Sequence, residues 1–391
     1  MAAAPQRNER ADRMNASTPK TRRVLIAGAK FGEMYLNAFL QAQPGLELAG
    51  LLATGSLRAQ QLAHAFGIPL YTSVDQVPDG IDIACVVVRS TVVGGTGTAL
   101  AEAFLRRGMH VVQEHPMHPD DAARLQELAR DRDCAYWINS YYAHTLAGQC
   151  WIERALRVRQ LLDGEAAHFA HLTTSRQLLY SSLDLLLQAC GADRAAGNAT
   201  VEATADEDRA FRLLRLDLGG CRAALRLQTY LDPEDPDLHS LAMHQLTLGW
   251  PSGYLSLEAS HGPVLWTSAL YDPRHRDNGQ SLYRSAGDAD NDPFAHPSTH
   301  VVHPAPPDWR HAFEVDGPCG VGRVLQMLNR HLDGAAVPCA FRPDYQQALA
   351  RLWQQALRCA GPAHERRLPA PRILGLQELA APLGLEREAA Q

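Results

Sequence analysis

Glu114 and His115 close the apolar run Val111-Val112-Gln113 and are followed at once by Pro116, with Met117-His118-Pro119 beyond. An imidazole that titrates near neutrality, set beside a carboxylate, can give, take or relay a proton. Two such groups at the mouth of a buried strand ask for a chemical explanation. A second candidate is Gly28-Ala29-Lys30-Phe31-Gly32, directly after the apolar run Val24–Ala27. Glycine permits close approach to the backbone, and a helix opening there would present its positive end, which suits a pyrophosphate. The spacing is GxxxG, shorter than the GxGxxG of dinucleotide sites, so by itself the motif reads as well as a plain strand–helix turn.

Context favours the dinucleotide, because the glycines follow the first strand of a repeating strand–helix series, where such a fingerprint has meaning. The end of the second strand then bears on which nucleotide. An Asp or Glu would be expected there for the ribose hydroxyls of NAD, but the sequence is Ala53-Thr54-Gly55-Ser56-Leu57-Arg58. Ser56 can offer a hydroxyl and an amide, and Arg58 a guanidinium fork, to a 2′-phosphate at the start of the next helix. These residues favour NADPH; the competing reading is a Ser56 helix cap with a solvated Arg58. Arg89, Ser90 and Thr91 follow another apolar strand and are expected along the nicotinamide ribose, although a flexible loop accounts for the glycines at 94, 95 and 97 equally well.

The elements that must hold these residues are legible as alternating short apolar runs and helix-length segments: Val24–Ala27, 31–43, Leu46–Ala53, 58–66, Ile83–Val88, 97–107, 110–113, 119–132 and 135–138. That order predicts a doubly wound parallel sheet, whose strands are covered on both faces and so show no polar side. Past about residue 150 the runs 168–174, 211–218, 221–230, 240–248, 253–259 and 264–271 read as strands of a mostly antiparallel sheet, followed by a long loop over 272–307 and helices over 320–332 and 343–358. The expected organisation is a disordered segment at 1–21, a Rossmann domain at 22–146, an α+β domain for substrate binding and dimerisation at 147–360 whose last helix packs back on the first domain, and a tail at 361–391.

The chain has 391 residues, 46% hydrophobic and 20% charged, which allows two domains with real cores. A net charge of -6 gives no general attraction to nucleic acid or anionic membrane, and a small-molecule partner is expected instead. The eight cysteines form no CxxC pair and read as reduced thiols. The polar N-terminal stretch has no apolar signal region, and no window is long and apolar enough for a bilayer, so a cytoplasmic location is expected.

The blocks GAKFGEMYLNAF, AHAFGIPLYTS, VVVRSTVVGGTGT, VQEHPMHPDD and TTSRQLLYSSLDLLL, together with the Glu-x-Pro after a strand, resemble the thiazolinyl imine reductases of siderophore assembly lines, within the glucose-fructose oxidoreductase superfamily. The likeness covers roughly residues 23 to 190. The resemblance implies NADPH-dependent reduction of a thiazoline C=N to a thiazolidine on an intermediate tethered to a peptide-synthetase carrier domain, in a homodimer. It places the candidate proton donors on His115 and Tyr142, with Glu114 on the nicotinamide ribose or on His115. Sugar and cyclitol dehydrogenases of the superfamily have lysine where this chain has His115, and a histidine near an Asp in the second domain; around Ser181-Ser182-Leu183-Asp184 the sequence has the Asp alone. Such a dehydrogenase is the alternative enzyme, and a non-catalytic NADP-sensing regulator the alternative class.

Other polar features have simpler explanations. His115, His118 and His144 have partial metal-ligand spacing, but Pro116 and Pro119 prevent one helix face from presenting them. Trp137, Tyr141 and Tyr142 could equally be packing. Arg176 is expected in a salt bridge of the second domain, Asp184 in a structural role, and His296, His300 and His303 in solvent.

Overall fold

The computed structural model describes residues 21–191, 196–207, 210–234, 240–271 and 297–380. The expected disorder of the N-terminal segment, most of the long loop with His296, and the end of the tail lie outside the described residues.

Six parallel strands form the first sheet: β1 (Arg22–Ala27), β2 (Leu46–Leu52), β3 (Leu70–Tyr71), β4 (Ile83–Val86), β5 (His110–Glu114) and β6 (Tyr136–Asn139), in the order β3-β2-β1-β4-β5-β6. The crossovers contain α1 (Gly32–Asn37), α2 (Leu57–Ala65), α3 (Gly97–Arg106) and α4 (Pro119–Asp131). The order reverses direction between β1 and β4, and in such sheets ligands lie at the carboxyl ends of the strands beside this switch. Gly28, Glu114 and Asn139 all stand at carboxyl ends. Every residue of β4 is 0% exposed, and at about 1.5–3 kcal/mol per buried large aliphatic side chain this is why a continuous apolar run is stable only between two helical layers.

The chain leaves the first sheet through α5 (Leu146–Leu161) and enters an eight-stranded sheet ordered β15-β14-β13-β12-β7-β10-β9-β8. Its strands are β7 (Phe169–Thr174), β8 (Ala199–Glu207), β9 (Phe211–Leu218), β10 (Arg222–Gln228), β12 (Gln245–Trp250), β13 (Gly253–Leu257), β14 (Val264–Ser268) and β15 (Thr299–His303). A two-residue strand β11 (Tyr230–Leu231) pairs separately with β16 (His364–Glu365). Among the described strands of the large sheet, only β7 and β10 pair in parallel. The fold class is thus a Rossmann sheet followed by a mostly antiparallel sheet, as the sequence pattern indicates.

The long loop is shorter than expected, because residues 299–303 pair with β14; His300 is exposed on that edge strand and His303 half-buried. Between β7 and β8 runs α6 (Leu179–Ala189), almost wholly buried. Two further helices, α7 (Gly317–Leu332) and α8 (Pro343–Ala360), return to the first sheet. Gln346 of α8 donates to Ile138 O at 2.9 Å and accepts from Ile138 N at 3.3 Å, satisfying an edge strand that would otherwise end the sheet with open hydrogen-bonding groups. Trp137 stacks on Phe341 at 4.2 Å, so its part is packing. Arg176 donates to Gly361 O at 2.7 Å, in place of the expected salt bridge. No helix among the described residues is long and apolar enough to cross a membrane, and the eight cysteines are free thiols.

Candidate active site

The turn after β1 is built on Gly28, whose φ of +119° and whose contact with β4 both require glycine: a Cβ there would lie 2.4 Å from Val87 O. Lys30 is exposed, and Phe31 packs edge-on against Tyr141 at 5.1 Å. Phe31 gives the helix no side-chain cap, but Glu33 N donates to Lys30 O at 3.3 Å and Met34 N to Phe31 O at 3.0 Å, so of the first amides that of Gly32 is the one placed to meet an anion. Gly32 differs from Gly28, because an added Cβ would meet only Ile26 Cγ2 at 3.4 Å and Val87 Cβ at 3.8 Å, ordinary contacts. Gly32 is buried, and a methyl there would touch those two core side chains without displacing backbone. The loop and helix end therefore fit a dinucleotide.

Gly55 adopts φ +78°, and Ser56 caps α2 by accepting from Ala59 N at 3.3 Å. Arg58 reaches back across the turn, donating to Ala29 O at 2.9 Å and pairing with Glu33. Its guanidinium, still 56% exposed, is thus drawn from α2 toward the turn after β1. On the other side of that loop, buried Ser90 donates to Pro116 O, Gly97 N donates to Arg89 O at 2.9 Å, and Thr91 N donates to Thr98 Oγ1 at 3.1 Å. The 89–91 segment is an organised turn joined to the strand end carrying His115.

Asn139, fully buried at the end of β6, organises the polar centre. Its carbonyl accepts from His115 N, and its side chain donates to Tyr35 Oη at 2.6 Å while accepting from Tyr141 N at 2.9 Å. Tyr35 in turn donates to Glu114. Burial first, and then the Glu114 carboxylate, push the Tyr35 phenol well above its ordinary range, so it stays a donor. His115 Nδ1 lies 3.0 Å from Glu114 Oε1 and 3.1 Å from Asn139 O. Both are acceptors, so Nδ1 carries a proton and Nε2 is the nitrogen left for chemistry. The imidazole also stacks on Tyr180 at 5.4 Å. Glu114 thus contacts His115 and Tyr35 directly.

Immediately after β6 the chain makes a three-residue turn in which Tyr142 N donates to Ser140 O at 2.7 Å and Tyr141 takes φ +63°, ψ −65°. This γ geometry is strained for a residue with a Cβ, costing roughly 1–3 kcal/mol. Burial of the Tyr141 ring and the Asn139 bond to its amide offset that strain. The turn sets the half-buried Tyr142 ring 4.1 Å from the ring of His244.

His244 corrects the expectation that no second-domain histidine accompanies the Ser181–Asp184 stretch. It comes from the segment before β12, and its Nε2 lies 2.7 Å from Ser181 Oγ and its Nδ1 2.8 Å from Ser260 Oγ. Ser181 also reaches Leu178 O at 3.1 Å, and when it donates there its oxygen is left to accept from a protonated His244 Nε2. Burial, reinforced by His115 and His261, holds this imidazole well below its ordinary range, and it is neutral. His261, from the β13–β14 turn, lies 6.0 Å from Tyr142. Nothing local in the sequence marks either histidine: His244 lies in an apolar strand-like segment, and His261 in the Ser-His-Gly-Pro turn between two such segments.

Asp184 accepts from Ser140, Tyr345 and, at 3.0 Å, Gln188, joining α6, the β6 turn and α8. His118 caps α4 and reaches Gln354, leaving it apart from His115. His144 stacks on Phe341 at 5.1 Å, and burial, then Arg323, lower its pKa to about 3. Because that value lies below the unfolded one of ~6.5, the stability it confers is complete above the unfolded value and is lost as pH falls from there toward 3. Denaturant titrations between pH 7.5 and 5 should show wild-type stability falling about 1.4 kcal/mol per pH unit faster, once below ~6.5, than in His144→Gln. Equal slopes would show that the buried ring takes no part in acid sensitivity.

Residues 22–140 match a family model described as oxidoreductase family, NAD-binding Rossmann fold, and residues 165–267 match one described as thiazolinyl imine reductase Irp3-like, C-terminal. No curated protein sequence matches the chain. Among solved structures, a 3-ketoreductase from Actinomadura kijaniata in complex with NADP and TDP-benzene has a TM-score of 0.60 at 15% identity, covering 89% of this chain and 100% of that one. An oxidoreductase from Agrobacterium radiobacter in complex with NAD+, L-tartaric acid and magnesium has a TM-score of 0.59 at 11% identity, covering 86% and 95%. A putative myo-inositol dehydrogenase from Sinorhizobium meliloti has a TM-score of 0.56 at 13% identity, covering 87% and 97%. These likenesses show the shared fold, and the two family matches carry the assignment further: the chain is an oxidoreductase of the GFO/IDH/MocA superfamily with an Irp3-like C-terminal domain.

Proposed function

We propose that the protein is an NADPH-dependent reductase of a thiazoline C=N, acting on an intermediate tethered to a carrier domain and yielding a thiazolidine. The observation that carries this reading is the pair His115 and Tyr142 at the ends of neighbouring strands, with imidazole where sugar dehydrogenases have lysine, in a chain whose second domain is Irp3-like. The sugar dehydrogenases among its structural neighbours keep an alcohol-oxidising alternative in view.

Gly28, Ala29, Phe31 and Gly32 would hold the pyrophosphate, Gly55, Ser56 and Arg58 the adenosine ribose and its 2′-phosphate, and Arg89, Ser90, Thr91 and Glu114 the nicotinamide side. When bound, NADPH supplies a hydride to the imine carbon. The chain must then deliver one proton to the nitrogen as the C=N π pair localises there. His115 can do so only when Nε2 is also protonated, because its Nδ1 proton is engaged by Glu114 and Asn139. Tyr142 offers a phenolic O–H as donor, and its ring rests on a neutral His244, which adds no competing positive charge beneath it. We assign the donation to Tyr142, with His115 orienting the nitrogen or recharging the phenol.

Incubation with NADPH and a thiazolinyl thioester, free or carrier-bound, should give a product heavier by two hydrogens. Oxidation of polyols with NAD and no reduction of any C=N substrate would favour the sugar dehydrogenase. For cofactor choice, Arg58→Ala should raise KM for NADPH by roughly 10- to 100-fold, the loss of one charge-assisted hydrogen bond to phosphate. The KM for NADH should change far less; equal effects on both would remove Arg58 from phosphate recognition.

A further inference from the structure

Away from the cleft, two of the cysteines come together. Cys190 ends α6, where its amide donates to Leu186 O at 3.0 Å, and Cys221 stands just before β10, after the Gly219-Gly220 turn of the β9–β10 hairpin. Distant in sequence, both line one cavity of about 90 Å³, together with Arg159, Gly164, Ala166 and Gly219. Cys190 is half-buried and Cys221 only 3% exposed, but Gly164, Ala166 and Gly219 are exposed, so the cavity meets solvent on one side. A space of that size admits water or a molecule as small as a peroxide.

The two thiols are hydrogen-bonded to each other, Cys190 donating to Cys221. That bond, against the opposing effects of burial and Asp217, holds the Cys221 thiol below its ordinary range; the same bond, and then burial, push Cys190 well above it. Burial pushes the thiols of Cys85, Cys134 and Cys150 upward. The thiolate is the nucleophile in cysteine chemistry, so Cys221 is the sulfur poised to react and Cys190 the thiol in place to resolve the product. Neither lies inside a regular element. Cys190 ends its helix, and Gly219 and Gly220 take φ of +68° and +114° beside Cys221, so both backbones have room to meet the narrow geometry of a sulfur–sulfur bond.

We propose that Cys190 and Cys221 form a reversible dithiol site that hydrogen peroxide converts to an intramolecular disulfide, tying the end of α6 to the β9–β10 hairpin. Cys221 Sγ attacks one peroxide oxygen: the S–O bond forms, the O–O bond breaks, and the departing oxygen takes up a proton and leaves as water. Cys190 Sγ then attacks the Cys221 sulfenic acid: the S–S bond forms, the S–O bond breaks, and the hydroxyl leaves as water with the Cys190 proton. Two thiols lose two electrons and one peroxide gains them, and an external thiol restores the pair by exchange. α6 also carries Tyr180, stacked on His115, and Asp184, which binds Ser140 of the β6 turn, so the tie fastens the helix on which the proposed active site rests. Closing the 190–221 segment removes freedom from the unfolded chain and so stabilises the folded one. The dithiol is independent of which substrate the cleft reduces.

Treating the reduced, desalted full chain with a slight molar excess of hydrogen peroxide tests this, with free thiols counted by maleimide mass-tagging and the peptides mapped. The wild type should lose two of its eight free thiols, yield a peptide pair joined through Cys190 and Cys221, and regain both thiols in dithiothreitol. Its Tm should rise by a few degrees on oxidation and return on reduction. Cys190→Ser should leave Cys221 as a sulfenic acid that dimedone labels. Cys221→Ser should react with peroxide at least about 10-fold more slowly than the wild type, because the lowered thiol is gone. A full thiol count in the folded chain after peroxide, or oxidation of Cys221 beyond the sulfenic acid with no joined peptide, would overturn the pair; both are read on the wild type. Oxidation that leaves Tm unchanged or lowers it would overturn the tie.

Discussion

Tyr142→Phe should slow single-turnover hydride transfer by about 10²- to 10⁴-fold, the range expected when a positioned proton donor is removed. The substitution deletes one oxygen and leaves the ring on His244, so the γ turn and its neighbours keep their arrangement. Binding of NADPH should stay within about twofold, because Tyr142 is assigned no contact with the nucleotide. His115→Gln should cost less, about 10- to 100-fold, if His115 orients or recharges rather than donates. The pH profile divides the roles, because an imidazolium donor gives up its proton at lower pH than a phenol donor does. A rate that falls through neutrality in the wild type and becomes pH-independent in His115→Gln would give the proton to His115. Near-normal rates in both variants would exclude both side chains from the chemistry.

Gly28→Ala should remove cofactor binding and destabilise the fold by about 2–5 kcal/mol, the combined scale of a strained backbone and an overpacked contact. Two features act together there, the positive φ and the 2.4 Å approach of an added Cβ to Val87 O. Moving that backbone would shift the turn between β1 and α1 and, with it, Phe31 against Tyr141. Gly32→Ala is the informative partner. Its Cβ finds only ordinary contacts, and alanine favours a helix, so thermal stability should hold or rise slightly. A methyl beside the Gly32 amide would narrow the approach proposed for the pyrophosphate, and NADPH affinity should fall about 10-fold or more, the scale of one hydrogen bond to a charged phosphate. Unchanged NADPH binding in Gly32→Ala, measured by fluorescence titration, would move the pyrophosphate away from this turn.

The residues proposed for the nucleotide are marked in the sequence by local pattern. Gly28, Ser56, Ser90 and Glu114 lie at the end of an apolar strand or in the turn that follows it, and a parallel sheet carries every strand end to the same edge. The substitution of histidine for lysine at 115 is likewise a matter of one position. Even on this side the tertiary contacts revised details: Arg58 is held by Glu33 and the Ala29 carbonyl, and Ser56 caps its helix while standing where a phosphate would be met.

The substrate side was hidden for a physical reason. His244 and His261 arrive from two separate segments, and hydrophobic periodicity reports which face of an element is buried without reporting what it is buried against. His244 sits in a stretch that reads simply as strand, and its neutrality follows from complete burial between Ser181 and Ser260, residues distant in sequence. The strained conformation of Tyr141 is also invisible locally, because only the packed Phe31 ring and the Asn139 side chain make it tolerable. By itself, then, the sequence determined the two sheets, the dinucleotide turn and the identity of the residue after Glu114, all consequences of short-range pattern. Only the tertiary structure decided which nitrogen of His115 is free and what supports Tyr142, since those depend on side chains converging from distant elements.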